Sequence, residues 1–95
     1  MQIIETRNGS YVNAALIEVY DIYSKHEHHY VQARAHSDSD EQSIYDIARF
    51  DTKEQARAAL DDIAVKLAFS DDIIIRGIAL ENEAKERKNN ESDTV

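Results

Sequence analysis

The chain has 95 residues, a formal net charge of −8 and no cysteine. This length predicts one domain with a small core, and a composition of 42% hydrophobic and 32% charged residues is typical of a folded protein. The absence of cysteine excludes disulfides and thiolate metal sites. The acidic charge disfavours binding to nucleic-acid phosphates or to an anionic membrane surface.

The first nine residues lack the basic start and the apolar run of a signal peptide. No apolar stretch approaches the ~20 residues that a membrane-spanning helix needs. We therefore expect a cytoplasmic protein with no membrane partner.

Short segments rich in β-branched and aromatic residues predict strands. Asn8-Gly9 predicts a turn after the first strand, because both residues tolerate positive φ. Polar residues at 24–29 and 37–41 predict loops between later strands. The four predicted strands before the helix are residues 1–6, 17–23, 30–35 and 44–50. Their short connections favour antiparallel pairing.

The segment that follows predicts one amphipathic helix over about residues 52–69. Thr52 and Gln55 form a capping-box pattern, in which each side chain satisfies a free backbone amide of the first turn. The apolar residues then recur at helical spacing and form one face, namely Ala56, Leu60, Ile63 and Leu67. At ~100° per residue, Val65 and Phe69 fall off that face, so either the helix frays before Phe69 or these two side chains meet something else.

Residues 73–80 allow two interpretations. Three consecutive isoleucines favour a strand and Gly77 weakens a helix, whereas Ser70 followed by two aspartates is also typical of a helix start. We predict a fifth strand here. Residues 81–95 carry few apolar groups, which predicts a polar tail that is disordered or frayed.

Together these elements predict an α+β fold. We expect an antiparallel sheet of four to five strands, with the single main helix packed on one face. Residues 1–80 form the predicted domain and residues 81–95 the tail.

The alternation of side chains suggests that both faces of this sheet carry apolar groups. One helix covers only one face, and an uncovered apolar face usually marks an interface. The sequence therefore predicts a homodimer or small homo-oligomer, packed through the sheet face or through the helix side that bears Val65 and Phe69. The alternative is that residues 73–80 or the tail cover the second face. The predicted sheet-face residues are Tyr20 and Ile22 on the second strand and Tyr45 and Ile47 on the fourth.

The run Lys25-His26-Glu27-His28-His29 has the residue types of a metal site. Zinc prefers about four ligands in tetrahedral geometry, and this loop offers two or three without cysteine. His36 lies at the far end of the next strand, ~20 Å away at ~3.3 Å per residue. The favoured interpretation is a solvated hairpin loop, with His26, His28 and His29 as metal candidates of lower rank.

Other chemistry-bearing patterns are weak. The acidic turn with Asp38, Asp40 and Glu41 lacks the glycine and the distal glutamate of a calcium loop. No serine lies in a G-x-S-x-G elbow, and two glycines cannot build a phosphate loop. We therefore expect neither enzymatic activity nor a cofactor.

A short opening strand with Asn8-Gly9 is followed by a helix motif that comprises Phe50, Asp51, Thr52, Glu54, Ala56, Leu60 and Ile63. This pattern resembles that of a group of small uncharacterised proteins of Gram-positive bacteria and their phages or prophages. The resemblance covers residues 1–80. It implies a β-meander with one helix and assigns no activity and no functional residue.

Two functional classes follow from these observations. The favoured one is a non-enzymatic interaction or accessory module that binds itself or another protein. The alternative is an acidic inhibitor that mimics nucleic acid, which requires carboxylates spaced along a surface like phosphates. The interleaving of Asp and Glu with Lys and Arg along the helix weakens this alternative.

Overall fold

The computed structural model describes the backbone of residues 1–36 and 42–93 and the side chains of residues 1–35 and 43–86. Within that part the fold is α+β, with six strands and two helices. In chain order the elements are β1 (Gln2–Glu5), β2 (Tyr11–Asn13), a 3₁₀ turn (Ala14–Leu16), β3 (Ile17–Lys25), β4 (His28–His36), β5 (Gln42–Phe50), α1 (Lys53–Phe69), β6 (Ile73–Arg76) and α2 (Gly77–Asp93).

The described strands form two three-stranded sheets, where the sequence predicted a single sheet. The long sheet has the order β3-β4-β5 and is antiparallel throughout. The short sheet has the order β2-β1-β6, with β1 antiparallel to β2 and parallel to β6. The parallel pair joins the start of the chain to a strand that follows α1. Short connections predict pairing between neighbouring strands in the sequence only, so they do not predict the pairing of β1 with β6.

Helix α1 packs across one face of the long sheet. Small side chains on both elements, among them Ala33, Ala48, Ala56 and Ala59, let the helix approach the strands closely. The largest fully buried side chains are Ile4, Val31, Ile47 and Ile63. Each contributes ~1.5–3 kcal/mol relative to an exposed position, so these four side chains form the centre of the core.

Both ends of α1 are fastened by side chains. The predicted capping box is confirmed: the Gln55 amide N–H donates to Thr52 Oγ1 at 3.1 Å, and the Thr52 N–H donates to Gln55 Oε1 at 3.3 Å. At the other end, Gln2 Nε2 donates to the carbonyls of Leu67 and Ser70, each at 2.7 Å. These bonds satisfy carbonyls that helix geometry leaves free and tie β1 to the end of α1.

The predicted fifth strand is confirmed for residues 73–76 only. The chain turns helical at Gly77, where α2 packs against the edge of β5. A Cβ at Gly77 would lie 1.7 Å from the carbonyl oxygen of Ile47, so no larger residue fits at this approach. Helix α2 continues to Asp93, which differs from the predicted polar tail over residues 81–95.

A β-bulge in β5 changes the predicted side-chain alternation. Val31 pairs with Ala48 and Gln32 pairs with Asp46, which leaves Ile47 as an extra residue between them. Ile47 is 0% exposed, so its assignment to an exposed sheet face is wrong.

The other predicted sheet-face residues also lie on the helix side of the long sheet. Tyr20 is in register with Ala33 and Ile22 with Val31, and both pack against the core. Tyr45 pairs with Ala33 as well and is half-buried. The four residues therefore do not form an uncovered face, because the true outer face is the one that carries the alternate residues of β3 and β5.

That outer face is mixed in character. It exposes Val19, Tyr23 and Ile44. Polar cross-strand pairs lie among them: Arg34 Nη2 is 2.9 Å from Asp21 Oδ2, and Gln32 Nε2 donates to Asp46 Oδ1 at 2.8 Å. The strand at 73–76 joins the short sheet rather than covering this face. The face is thus more polar than the sequence predicted.

Candidate protein-interaction surface

The last two turns of α1 present a continuous apolar surface. The exposed residues there are Ala64, Val65, Ala68 and Phe69. Phe69 is 85% exposed and Val65 is 55% exposed, although both lie in a fully formed helix. The sequence placed these two side chains off the core face of α1, and the structure places them in solvent. We call the four residues the α1 end patch.

A groove of about 370 Å³ lies between α1 and α2. It exists because α2 packs mainly on β5 and β6 and stands away from α1. Its apolar lining combines small and large side chains from three elements, namely Phe50, Ala58, Ala59, Leu80 and Ala84. We call it the inter-helix groove. The sequence could not predict it, because one of its walls is the helix that was expected to be a strand and a tail.

Among the described side chains that line the inter-helix groove, all the charged ones are acidic. Glu54 and Asp62 come from α1 and Glu83 from α2, and none of the lining residues is basic. Asp62 Oδ2 lies 2.7 Å from Nζ of Lys66, one turn further along α1. The groove therefore has an apolar floor and an acidic rim.

The outer face of the short sheet carries a row of polar contacts across all three strands. Glu5 lies between Tyr11 on β2 and Arg76 on β6, with Arg76 Nη1 3.6 Å from Glu5 Oε2. The hydrogen bond to Glu5 raises the pKa of Tyr11 above its ordinary value. These three side chains satisfy one another, so we assign this face a structural role.

The histidine run forms the predicted hairpin, but its turn has two residues and not the six of the predicted loop at 24–29. His26 and Glu27 are the two turn residues between β3 and β4, with φ values of 51° and 65°. Such left-handed conformations favour Gly and Asn, so the turn is strained by of order 1–3 kcal/mol per residue. Within the described part of the chain, no three His, Cys, Asp or Glu side chains are placed to hold a metal ion together. His26, His28 and His29 are therefore not brought together as a metal site in this structure.

Sequence reasoning missed one contact in this hairpin. Ser24 Oγ lies 2.7 Å from Nδ1 of His29, because the two residues are partners in the β3–β4 register. Serine catalysis needs a third group to orient the histidine, and donors for an oxyanion. Among the described residues the hydrogen-bonded chain stops at these two side chains. The contact therefore fastens the hairpin beside its strained turn.

The acidic turn that resembled a calcium loop, with Asp38, Asp40 and Glu41, lies outside the described residues.

Comparison with protein-family models, curated proteins and solved structures returned no match. Among residues 1–36 and 42–93, no helix combines the length and the apolar character needed to cross a membrane.

Proposed function

We propose that the protein is a non-enzymatic interaction module that self-associates through the α1 end patch. The observation that carries this proposal is the exposure of Phe69 and Val65 at the end of a capped, well-packed helix. Single exposed apolar residues are common on proteins, but a contiguous group is typical of an interface.

A second copy of the chain suits this patch. Its four side chains carry no charge, so two patches related by a two-fold axis meet without repulsion between them. Burial of Phe69 and Val65 from both copies stabilises the pair by ~1.5–3 kcal/mol per side chain, against an association cost of at least ~4 kcal/mol. The surplus is small, so we expect a homodimer whose dissociation constant is on the order of micromolar or larger.

Light scattering after size exclusion tests this proposal. We expect the mass to rise above the 10.9 kDa of one chain as concentration is raised toward about 1 mM. Phe69→Lys should hold the chain at the monomer mass, because it places two charges at the contact. Leu16→Lys is the control, since Leu16 is 60% exposed and lies outside the patch.

Two results would contradict the proposal. One is a wild-type chain that stays monomeric over the whole concentration range. The other is a control variant that loses association as fully as Phe69→Lys does. Tyr20→Lys and Ile47→Lys would not test association, because those side chains pack in or against the core and the variants would unfold.

The alternative of a nucleic-acid mimic has less support. A mimic needs rows of free carboxylates, whereas many acids here lie beside bases: Asp21 with Arg34, Asp62 with Lys66, Glu5 with Arg76 and Glu81 with Arg7. Asp61 lies 4.0 Å from Arg57 on the exposed side of α1. We therefore retain the interaction module as the proposed function.

A further inference from the structure

We infer that the inter-helix groove is a docking site for a short basic amphipathic helix of a partner protein. This goes beyond self-association, because the groove is formed by other side chains than the α1 end patch. The shape of the groove, its charge and its helical walls all favour such a ligand.

The floor of the groove contains a hollow that an apolar side chain can enter. Ala58 and Ala59 on α1 and Ala84 on α2 are small, and they lie between the larger Phe50 and Leu80. Packing of helices requires side chains of one element to enter hollows of the next. A Leu or Ile from a third helix fits such a hollow, which none of the described side chains fills.

The walls of the groove favour a helical ligand over an extended one. An extended peptide gains affinity by pairing its backbone with a sheet edge. Here both walls are helices, whose backbone groups are bonded internally. A helical ligand brings its own internal hydrogen bonds and requires only side-chain contacts. The lining of α1 runs from Glu54 to Asp62, which is ~12 Å at ~1.5 Å per residue, so the ligand needs two to three turns.

The rim determines the charge of the partner. Glu54 on one wall and Glu83 on the other place negative charge at the rim, while Asp62 is paired with Lys66, so a ligand with Lys or Arg beside its apolar stripe is complementary. The α1 end patch of a second copy is a poorer occupant of the groove, because its four side chains offer no base to the acidic rim.

A labelled peptide tests the inference. The probe is a capped 12-residue helix with Leu on one face and Lys on the other, titrated with the full chain by fluorescence anisotropy. We expect a Kd on the order of 10 μM that weakens as salt is raised. A matched peptide with Glu in place of Lys should bind at least ~10-fold more weakly.

Two pairs of substitutions separate the groove from the overall charge. Glu54→Lys with Glu83→Lys should weaken binding at least ~10-fold, because both rim charges are reversed. Asp61→Lys with Asp71→Lys gives the same net charge at exposed sites outside the groove and should weaken binding far less. Equal losses in the two pairs would mean non-specific attraction and would overturn the inference.

A neutral substitution tests the shape. Ala58→Trp fills the hollow from an exposed position of α1, so we expect binding to be lost while the thermal unfolding curve is retained. An unchanged Kd in this variant would overturn the inference. The solution mass is measured on the same samples. Loss of dimer formation in the Ala58→Trp variant, together with no peptide binding by the wild type, would identify a second copy as the occupant and would also overturn it.

Discussion

Gly77 is the position where a single methyl group should damage the fold most. A Cβ at this residue would lie 1.7 Å from the carbonyl oxygen and 2.7 Å from the carbonyl carbon of Ile47, and 3.3 Å from the carbonyl oxygen of Glu5. Real contacts of this kind are almost never closer than 3.0 Å, so Gly77→Ala requires a shift of at least 1.3 Å (3.0 minus 1.7). The atoms that must move belong to backbone, not to a flexible side chain.

Helix propensity and the steric clash predict opposite effects of Gly77→Ala on stability. Gly77 is the first residue of α2, and an alanine in a helix is favoured over glycine by up to ~1 kcal/mol. The clash acts against the buried bulge of β5, where overpacking costs ~1–3 kcal/mol or more. We therefore expect Gly77→Ala to lower the free energy of unfolding by about 3 kcal/mol, a large part of the ~5–15 kcal/mol of a typical domain.

Urea unfolding followed by circular dichroism measures this change. The control is Gly9→Ala: Gly9 has a φ of 88°, but nothing lies within 4 Å of the added Cβ. Its cost is backbone strain alone, ~1–2 kcal/mol. A Gly77→Ala chain that is as stable as the wild type, or less destabilised than Gly9→Ala, would refute the reasoning about this contact.

Two further predictions concern polar side chains at the core. The Tyr20 hydroxyl is buried without a hydrogen-bond partner among the described residues, and burial raises its pKa. Tyr20→Phe should therefore be neutral or stabilising by ~1 kcal/mol near pH 7. The wild type should lose stability as pH rises above about 10, because Tyr20 ionises more readily in the unfolded chain, and the variant should lose less. Urea unfolding of the wild type and the variant at pH 7 and above about pH 10 checks this. A clear destabilisation of Tyr20→Phe at pH 7 would contradict it. Gln2→Ala removes the two bonds to the carbonyls of Leu67 and Ser70, so we expect a loss of ~1–2 kcal/mol in the same assay. Gln32→Ala, which breaks one exposed hydrogen bond, should cost less, and an equal loss would argue against the special role of Gln2.

Local sequence patterns predicted the features that depend on near neighbours. The predicted start of α1 was correct, because the capping bonds between Thr52 and Gln55 join residues only three positions apart. The strands of the long sheet were recognised for a related reason: consecutive hairpins pair sequence neighbours through short connections. Helical periodicity also separated Val65 and Phe69 from the core face of α1. These two residues are the larger members of the α1 end patch.

Contacts between distant segments decided the rest. Parallel pairing of β1 with β6 matches Gln2 with Ile73 and Glu5 with Arg76, so β6 ends where its partner ends. No local pattern in the isoleucine run encodes that limit. The bulge at Ile47 likewise reverses the face assignment of β5, and its register is visible only against β4.

The sequence by itself determined the amphipathic, capped helix α1 and the β-rich first half, because hydrogen bonding and side-chain periodicity over a few residues are enough to specify them. Only the tertiary structure decided that residues after Gly77 form a second helix. That helix begins where Gly77 lies against the backbone of Ile47 in β5, at a distance that glycine alone permits. The inter-helix groove follows from that packing, since it requires two helices to stand side by side on strands that lie far apart in the chain.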